Sequence, residues 1–380
     1  MSRSDALFIG HRLTEAREVR GTTKQELADL LGKTHQTVTS YENGSYNPAP
    51  EVIDDICRIL KLPLSFFTID RTDSLINAPI QFRSLKSAHK VKKLQIERWL
   101  QWVANRVGYY KQYMDFPPVN LPKFDLDFGK LSESQIENIA ESVRKFWGLG
   151  NGPISNLTLL LENNGIIVTH YNFEVKGLDA CSTIANGLPL ILINTFEATC
   201  SRILMDLAHE LGHLVLHADV DKDEITPAQH KQMEDQAWDF AAAFLMPADG
   251  FSCEVVDTRL TAFALLKRRW RVSIAGMIMR CRELCIIDDF RKTYLFKEMN
   301  RRKIRLVEPL DNELKIETPH LLIDAEKLLT ESGELTKWYL LDASYISADD
   351  YCSIVGTPTD YFKRETVQPK LRPDYIRIVK

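Results

Sequence analysis

The sequence predicts an α+β chain that is mostly helical: a five-helix N-terminal domain, a larger domain with a small sheet, and a small C-terminal module. Three observations predict it. Capped helical segments crowd the first 67 residues. Short apolar runs of strand character then lead into a strongly helical stretch carrying His209-Glu210-Leu211-Gly212-His213. Beyond that stretch, apolar segments at helical spacing continue until Pro and Gly break the tail into short pieces. The boundaries this suggests are 1–69, 70–122, 123–290 and 291–380.

At 380 residues the chain can bury two or three cores. Hydrophobic residues at 44%, charged residues at 26% and a net charge of −4 fit a globular protein and exclude a polycation. No apolar run reaches the length of a membrane span, and Met1-Ser2-Arg3-Ser4-Asp5 opens no signal peptide. Seven cysteines without paired spacing fit reduced thiols, so a cytoplasmic protein is expected.

Phe8, Ile9, Leu13 and Ala16 mark the first helix. Thr23 with Glu26 three residues on is a capping box that starts the second, and Gly32 ends it. Residues 34–44 form a third, closed by Gly44, and residues 50–60 and 64–67 supply two more. A short helix, a glycine turn and a helix with His, Gln, Thr and Ser outward is a helix-turn-helix arrangement. This region resembles the XRE, or phage-repressor-like, DNA-binding domain over nearly all of residues 8–67. The resemblance implies DNA as a partner, with Gln36, Thr37 and Ser40 facing base edges, His35 at the start of the reading helix, and Lys24 and Asn43 near phosphates. Such contacts are chemically apt, since Gln can bond adenine with both groups and Thr can meet a thymine methyl. Through Ile69, however, eight basic residues stand against nine acidic ones, which argues for weak binding by a monomer. A homodimer, or help from the next segment, would compensate.

That segment opens with a linker at 70–82, broken at Asn77-Ala78-Pro79. Residues 85–113 then form a long amphipathic helix with Leu94, Trp99, Trp102, Val103, Val107 and Tyr110 inward. From residue 83 to 111, eight basic residues stand against Glu97 alone, a run that either forms a solvated face or tracks phosphates. Phe116-Pro117-Pro118 begins an extended connector. Ser132 and Gln135 cap a helix to Trp147, and residues 156–163 form another. Strands are expected at 165–171, 181–185 and 188–194, the last two joined by Asn186-Gly187.

His209 and His213, four apart, share one face of the helix that follows, so both imidazoles can reach one divalent ion, with Glu210 placed to act on its water. The alternative, two satisfied histidines on a buried helix, requires no ion. A third ligand is needed for a catalytic zinc. His217 stands about 12 Å from His209 along a helix, too far to share an ion. Asp219 would need a bend that Leu216 does not favour. A helix stopped near Pro247 brings Ala237, Ala241 and Phe244 to the first helix and, one turn earlier, Glu234 to the metal, with Asp235 in reserve.

Residues from about 165 to 288 resemble the ImmA/IrrE family of metallopeptidases. The carrying residues are Arg202, Ala208 to His213, His217, the spaced set Glu234, Ala237, Phe240 and Ala241, and Leu245-Met246-Pro247. The resemblance implies a zincin-like peptidase domain in which His209, His213 and Glu234 hold zinc and Glu210 is the base. His217 and Arg202 are expected behind the ligands or facing substrate. The chain departs from the family at Gln236, where a second acid is usual, and at Trp238, where a small polar residue is usual. The resemblance further implies a protein substrate, often a helix-turn-helix repressor cut at one bond. With reader and blade fused, the chain is expected to switch gene expression by cleaving a co-bound repressor or itself between Asp70 and Phe82. Competing expectations are a non-enzymatic metal-binding regulator and a toxin–antitoxin component. Residues 257–287 add two helices, 291–305 is again basic, and the tail carries no motif.

Overall fold

Helices carry most of the computed structural model, which describes residues 8–70, 90–175, 179–185, 187–218, 220 and 225–363. The linker breaker at Asn77-Ala78-Pro79, the basic residues Arg83 and Lys86, Asp219, Asn186 of the expected turn and the last seventeen residues lie outside them.

The N-terminal domain has the five expected helices: α1 (Gly10–Val19), α2 (Lys24–Leu31), α3 (His35–Glu42), α4 (Pro50–Leu60) and α5 (Leu64–Thr68). Thr23 and Glu26 cap α2 reciprocally, and Gly32 closes it with the positive φ that a residue without Cβ adopts at no steric cost. The Thr34 hydroxyl accepts from the Thr37 amide to start α3. Leu13, Ala16, Leu27, Val38, Ile56 and Phe66 are fully buried between the helices.

Helix α6 (Lys90–Tyr110) is a spine rather than a surface strut. Gln95 Nε2 bonds the Val19 carbonyl at 3.1 Å, Arg98 pairs with Glu18 at 2.7 Å, and Trp102 Nε1 donates to Glu15 at 2.6 Å, all on α1. On its other side Trp99 lies 4.0 Å from the Tyr171 ring. The expected basic stripe is therefore divided. Arg98 and the buried Arg106 serve packing, while Lys90, Lys93 and Lys111 remain exposed.

After α7 (Glu133–Phe146), capped by Ser132 and Gln135, and α8 (Leu157–Asn163), capped by Asn156, come β1 (Ile167–Tyr171), β2 (Ala180–Ala185) and β3 (Leu188–Asn194). Their order is β1-β3-β2, with β3 parallel to β1 and antiparallel to β2. Strand periodicity divides the sheet between two cores. Ile167, Leu190 and Leu192 join the core of α6 and the N-terminal domain, while Val168, Ile191 and Ile193 join that of α9 (Cys200–Leu216) and α10 (Pro227–Leu245). Helix α10 starts five residues before the expected Gln232, because Thr226 and Gln229 form a further capping box and Pro227 occupies its first turn.

Beyond it lie α11 (Ala248–Glu254), α12 (Leu260–Trp270), α13 (Ile274–Glu283) and α14 (Asp289–Arg301). The expected boundary at 290 falls inside α14. Its Leu295 and Met299 are buried in the second core, so this helix packs with α9 and α10 and not with the tail. The tail holds α15 (Leu321–Glu331), α16 (Lys337–Asp342) and α17 (Ala348–Val355). Their signals are in the sequence: Thr336 and Ser347 are side-chain N-caps, and Gly356 closes α17. These helices pack into the first core with α6. Among the described residues no helix is long and apolar enough to cross a membrane.

Candidate metal centre

The site is made where α9 crosses α10. Gly212 permits the crossing: a Cβ there would lie 3.0 Å from the Phe240 ring and 3.2 Å from the Ala237 carbonyl. Ala237 and Ala241 are fully buried at the contact, as their small size requires. One turn before Ala237, Glu234 meets the two histidines. His209 Nε2 and His213 Nε2 are 3.1 Å apart, and Glu234 Oε2 and Oε1 lie 3.4 and 3.5 Å from them respectively. All three ligand atoms fall within 4.8 Å of one another. Zinc–nitrogen bonds of 2.0–2.1 Å in a tetrahedron separate the nitrogens by about 3.3 Å, so the donor set fits such an ion without rearrangement. Burial opposes ionisation of Glu234, but the two facing imidazoles outweigh it and hold the carboxyl well below the usual range. Asp235, the reserve ligand, is exposed and pairs with Lys231 at 3.7 Å.

The histidines are seated from behind. His217, fully buried at the end of α9, places Nδ1 3.0 Å from His213 Nδ1 and Nε2 3.0 Å from Gln236 Oε1. Gln236 Nε2 donates to the Phe128 carbonyl at 2.7 Å, and the Phe128 ring meets His217 edge-on. Trp238 covers His209 with ring centroids 4.1 Å apart, so one departure from the family pattern lies on a candidate ligand and the other, Gln236, on the His217 behind it. His230, unremarked in the sequence, comes within 4.0 Å of Glu234 Oε1; its position four residues before Glu234 on one helix was the available signal. Glu210 is buried at 1% exposure. Its charge, after burial itself, pushes the Cys181 thiol on β2 upward. Arg202, two turns before the ligands, pairs with Asp179 instead of reaching them.

In the N-terminal domain, His35, Gln36 and Asn43 are exposed, and Thr37 and Ser40 are half-buried. Thr37 Oγ1 shares a 2.8 Å hydrogen bond with Thr34, which leaves its methyl for apolar contact. Lys24 Nζ lies 3.1 Å from Glu42, so its charge is partly matched within the protein.

Residues 13–67 match the helix-turn-helix family, and residues 162–282 match the IrrE N-terminal-like domain, a peptidase family. Two proteins described as uncharacterized HTH-type transcriptional regulators, from Sinorhizobium medicae and Rhizobium meliloti, are each 31% identical over 64 residues. That match takes in 17% of this chain and 46% of each relative, so the chain spans about half the length of the curated relatives it matches. A solved structure of a Mycobacterium tuberculosis transcriptional regulator aligns at 16% identity and a TM-score of 0.31, covering 48% of this chain and 51% of that one. The chain thus joins an XRE-type helix-turn-helix domain to an IrrE-like domain of a peptidase family.

Proposed function

We propose that this protein is a DNA-binding regulator whose second domain is a zinc-dependent endopeptidase acting on a protein substrate. The convergence of His209, His213 and Glu234, with Glu210 next to the first ligand, carries the reading. When bound, zinc would polarise a scissile carbonyl and acidify a water. The chain's own residues do the rest. Glu210 accepts the water's proton and returns it to the leaving amine, a role suited to a carboxylate kept from bulk solvent. Strand β2, at the edge of the sheet, pairs only with β3 among the described residues, and so offers an edge on which an extended peptide can add. Gln36, Thr37 and Ser40 read base edges, His35 starts that surface, and Lys24 and Asn43 approach phosphates. The substrate class favoured is a repressor bound nearby, or the chain's own 70–82 segment.

Replacing Glu210 with Gln tests the enzymatic role: zinc and DNA binding persist, while cleavage, followed by mass spectrometry of the chain and its co-regulated repressors, disappears. A Glu210→Gln protein that regulates like wild type defeats the enzymatic reading. One observation favours a second reading, a metal-sensing regulator without catalysis: His209, Glu210 and His213 are exposed by only 4%, 1% and 0%.

A further inference from the structure

We infer that Gln236 and the backbone carbonyl of Phe128 set the protonation pattern of the metal-ligand histidine His213 through a chain of three hydrogen bonds. The inference rests on the metal-binding part of the proposed function and concerns residues that touch no ligand atom themselves. Its logic runs inward from the end of the chain. A backbone carbonyl can only accept, so the Gln236 atom 2.7 Å from Phe128 O must be the NH2 group. Gln236 therefore turns its oxygen to His217 Nε2, 3.0 Å away, and that nitrogen must carry the proton. With one proton on the His217 ring, the opposite nitrogen is bare and faces His213 Nδ1 at 3.0 Å. His213 Nδ1 must donate to it. What remains on His213 is a lone pair on Nε2, aimed at the position shared with His209 Nε2 and Glu234.

Every link is inside the protein. His213 and His217 are fully buried and Gln236 is 4% exposed, so the three hydrogen bonds lie away from bulk water. Reversing the relay would place a proton on His213 Nε2 and close the site to a cation. Gln236 is thus a positioning residue: its amide is the one group here that accepts from an imidazole on one side and donates to a carbonyl on the other. A carboxylate at this position would set an acceptor against the Phe128 carbonyl.

Zinc affinity of the full chain, measured by chelator competition, tests the inference against Gln236→Met, which keeps length and helix propensity but neither polar function. A 10- to 100-fold rise in the zinc Kd is expected, in the range for ligand-orienting groups. An unchanged Kd in a folded Gln236→Met protein overturns it. Independently of any variant, 15N spectra of histidine-labelled, zinc-loaded wild type should show His217 protonated on Nε2 and bare on Nδ1; the opposite tautomer also overturns it. Zinc bound without peptide cleavage would refute the enzymatic reading and leave the relay standing. A wild type that binds no zinc would refute both.

Discussion

Arg20, at the end of the first helix, and Asp350, 330 residues later, hold each other through two parallel hydrogen bonds of 2.6 Å. The same guanidinium donates from Nε to the Leu60 carbonyl at 2.8 Å. The C-terminal helices are thereby bolted to the DNA-binding domain. They are also bolted to the peptidase-like domain: Glu162 on α8 accepts from the His320 and Leu321 amides at the start of α15, and Glu317 accepts from the Thr158 amide at the start of α8. Between these anchors Glu326 of α15 accepts from the Tyr110 and Tyr351 hydroxyls at 2.5 Å, tying α15 to α6 and α17.

Asp350→Ala should destabilise the chain by about 3 kcal/mol, because it strands a largely buried guanidinium charge. Urea unfolding of the full chain measures this. A change within about 0.5 kcal/mol, as for an exposed pair, would show that the bridge does not hold the helices.

Glu162 supplies a pH dependence. Burial pushes its carboxyl up to about 7, against the opposing bonds from Leu321 and His320. A carboxyl whose folded pKa is raised contributes stability that is fully present below its unfolded pKa, and that stability is lost as pH rises through the folded value. The window runs from about 4.5 to about 7, and the loss is on the order of 3 kcal/mol. Glu162→Gln mimics the protonated acid, so its stability relative to wild type should grow as pH rises across that window. Parallel unfolding curves at pH 5 and pH 8 check it; an equal offset at both would rule the linkage out.

Gly212→Ala should push α9 away from α10, since the added methyl meets the Phe240 ring at 3.0 Å and the Ala237 backbone. Overpacking of this kind costs about 1–3 kcal/mol. The same displacement withdraws Glu234 from the histidines, so zinc affinity should fall along with Tm. Affinity that survives a lowered Tm would mean that the ligand set tolerates a wider crossing.

On the DNA side, Gln36→Ala should cost about 1–3 kcal/mol on the preferred operator and little on other sequences, leaving the salt dependence unchanged. Fluorescence anisotropy at two salt concentrations distinguishes this from a phosphate contact, which would reduce affinity on all sequences and flatten the salt slope.

Much of the architecture was legible because its signals are local. The Thr23–Glu26 and Ser132–Gln135 capping boxes, the strand at Leu188–Asn194 and the His-Glu-x-x-His spacing each need only a few neighbouring residues to be read. The C-terminal helices were missed although Thr336, Ser347 and Gly356 mark their ends, because short helices carry too few periodic positions to announce a buried face. The basic run along α6 turned out divided for a related reason. Charge counting cannot distinguish a lysine in water from Arg106, whose guanidinium is packed 4.5 Å over the Tyr351 ring.

By itself, then, the sequence determined the helices, their caps and the pair of imidazoles four residues apart, since backbone geometry alone puts such residues on one face. Only the tertiary structure decided that Glu234 and not Asp235 comes to rest beside the two imidazoles, that Gln236 ends a hydrogen-bond relay on Phe128, and that Asp350 reaches Arg20. Each of those depends on where a second, distant segment comes to rest, and that is settled by the packing of whole faces rather than by the residues on either side.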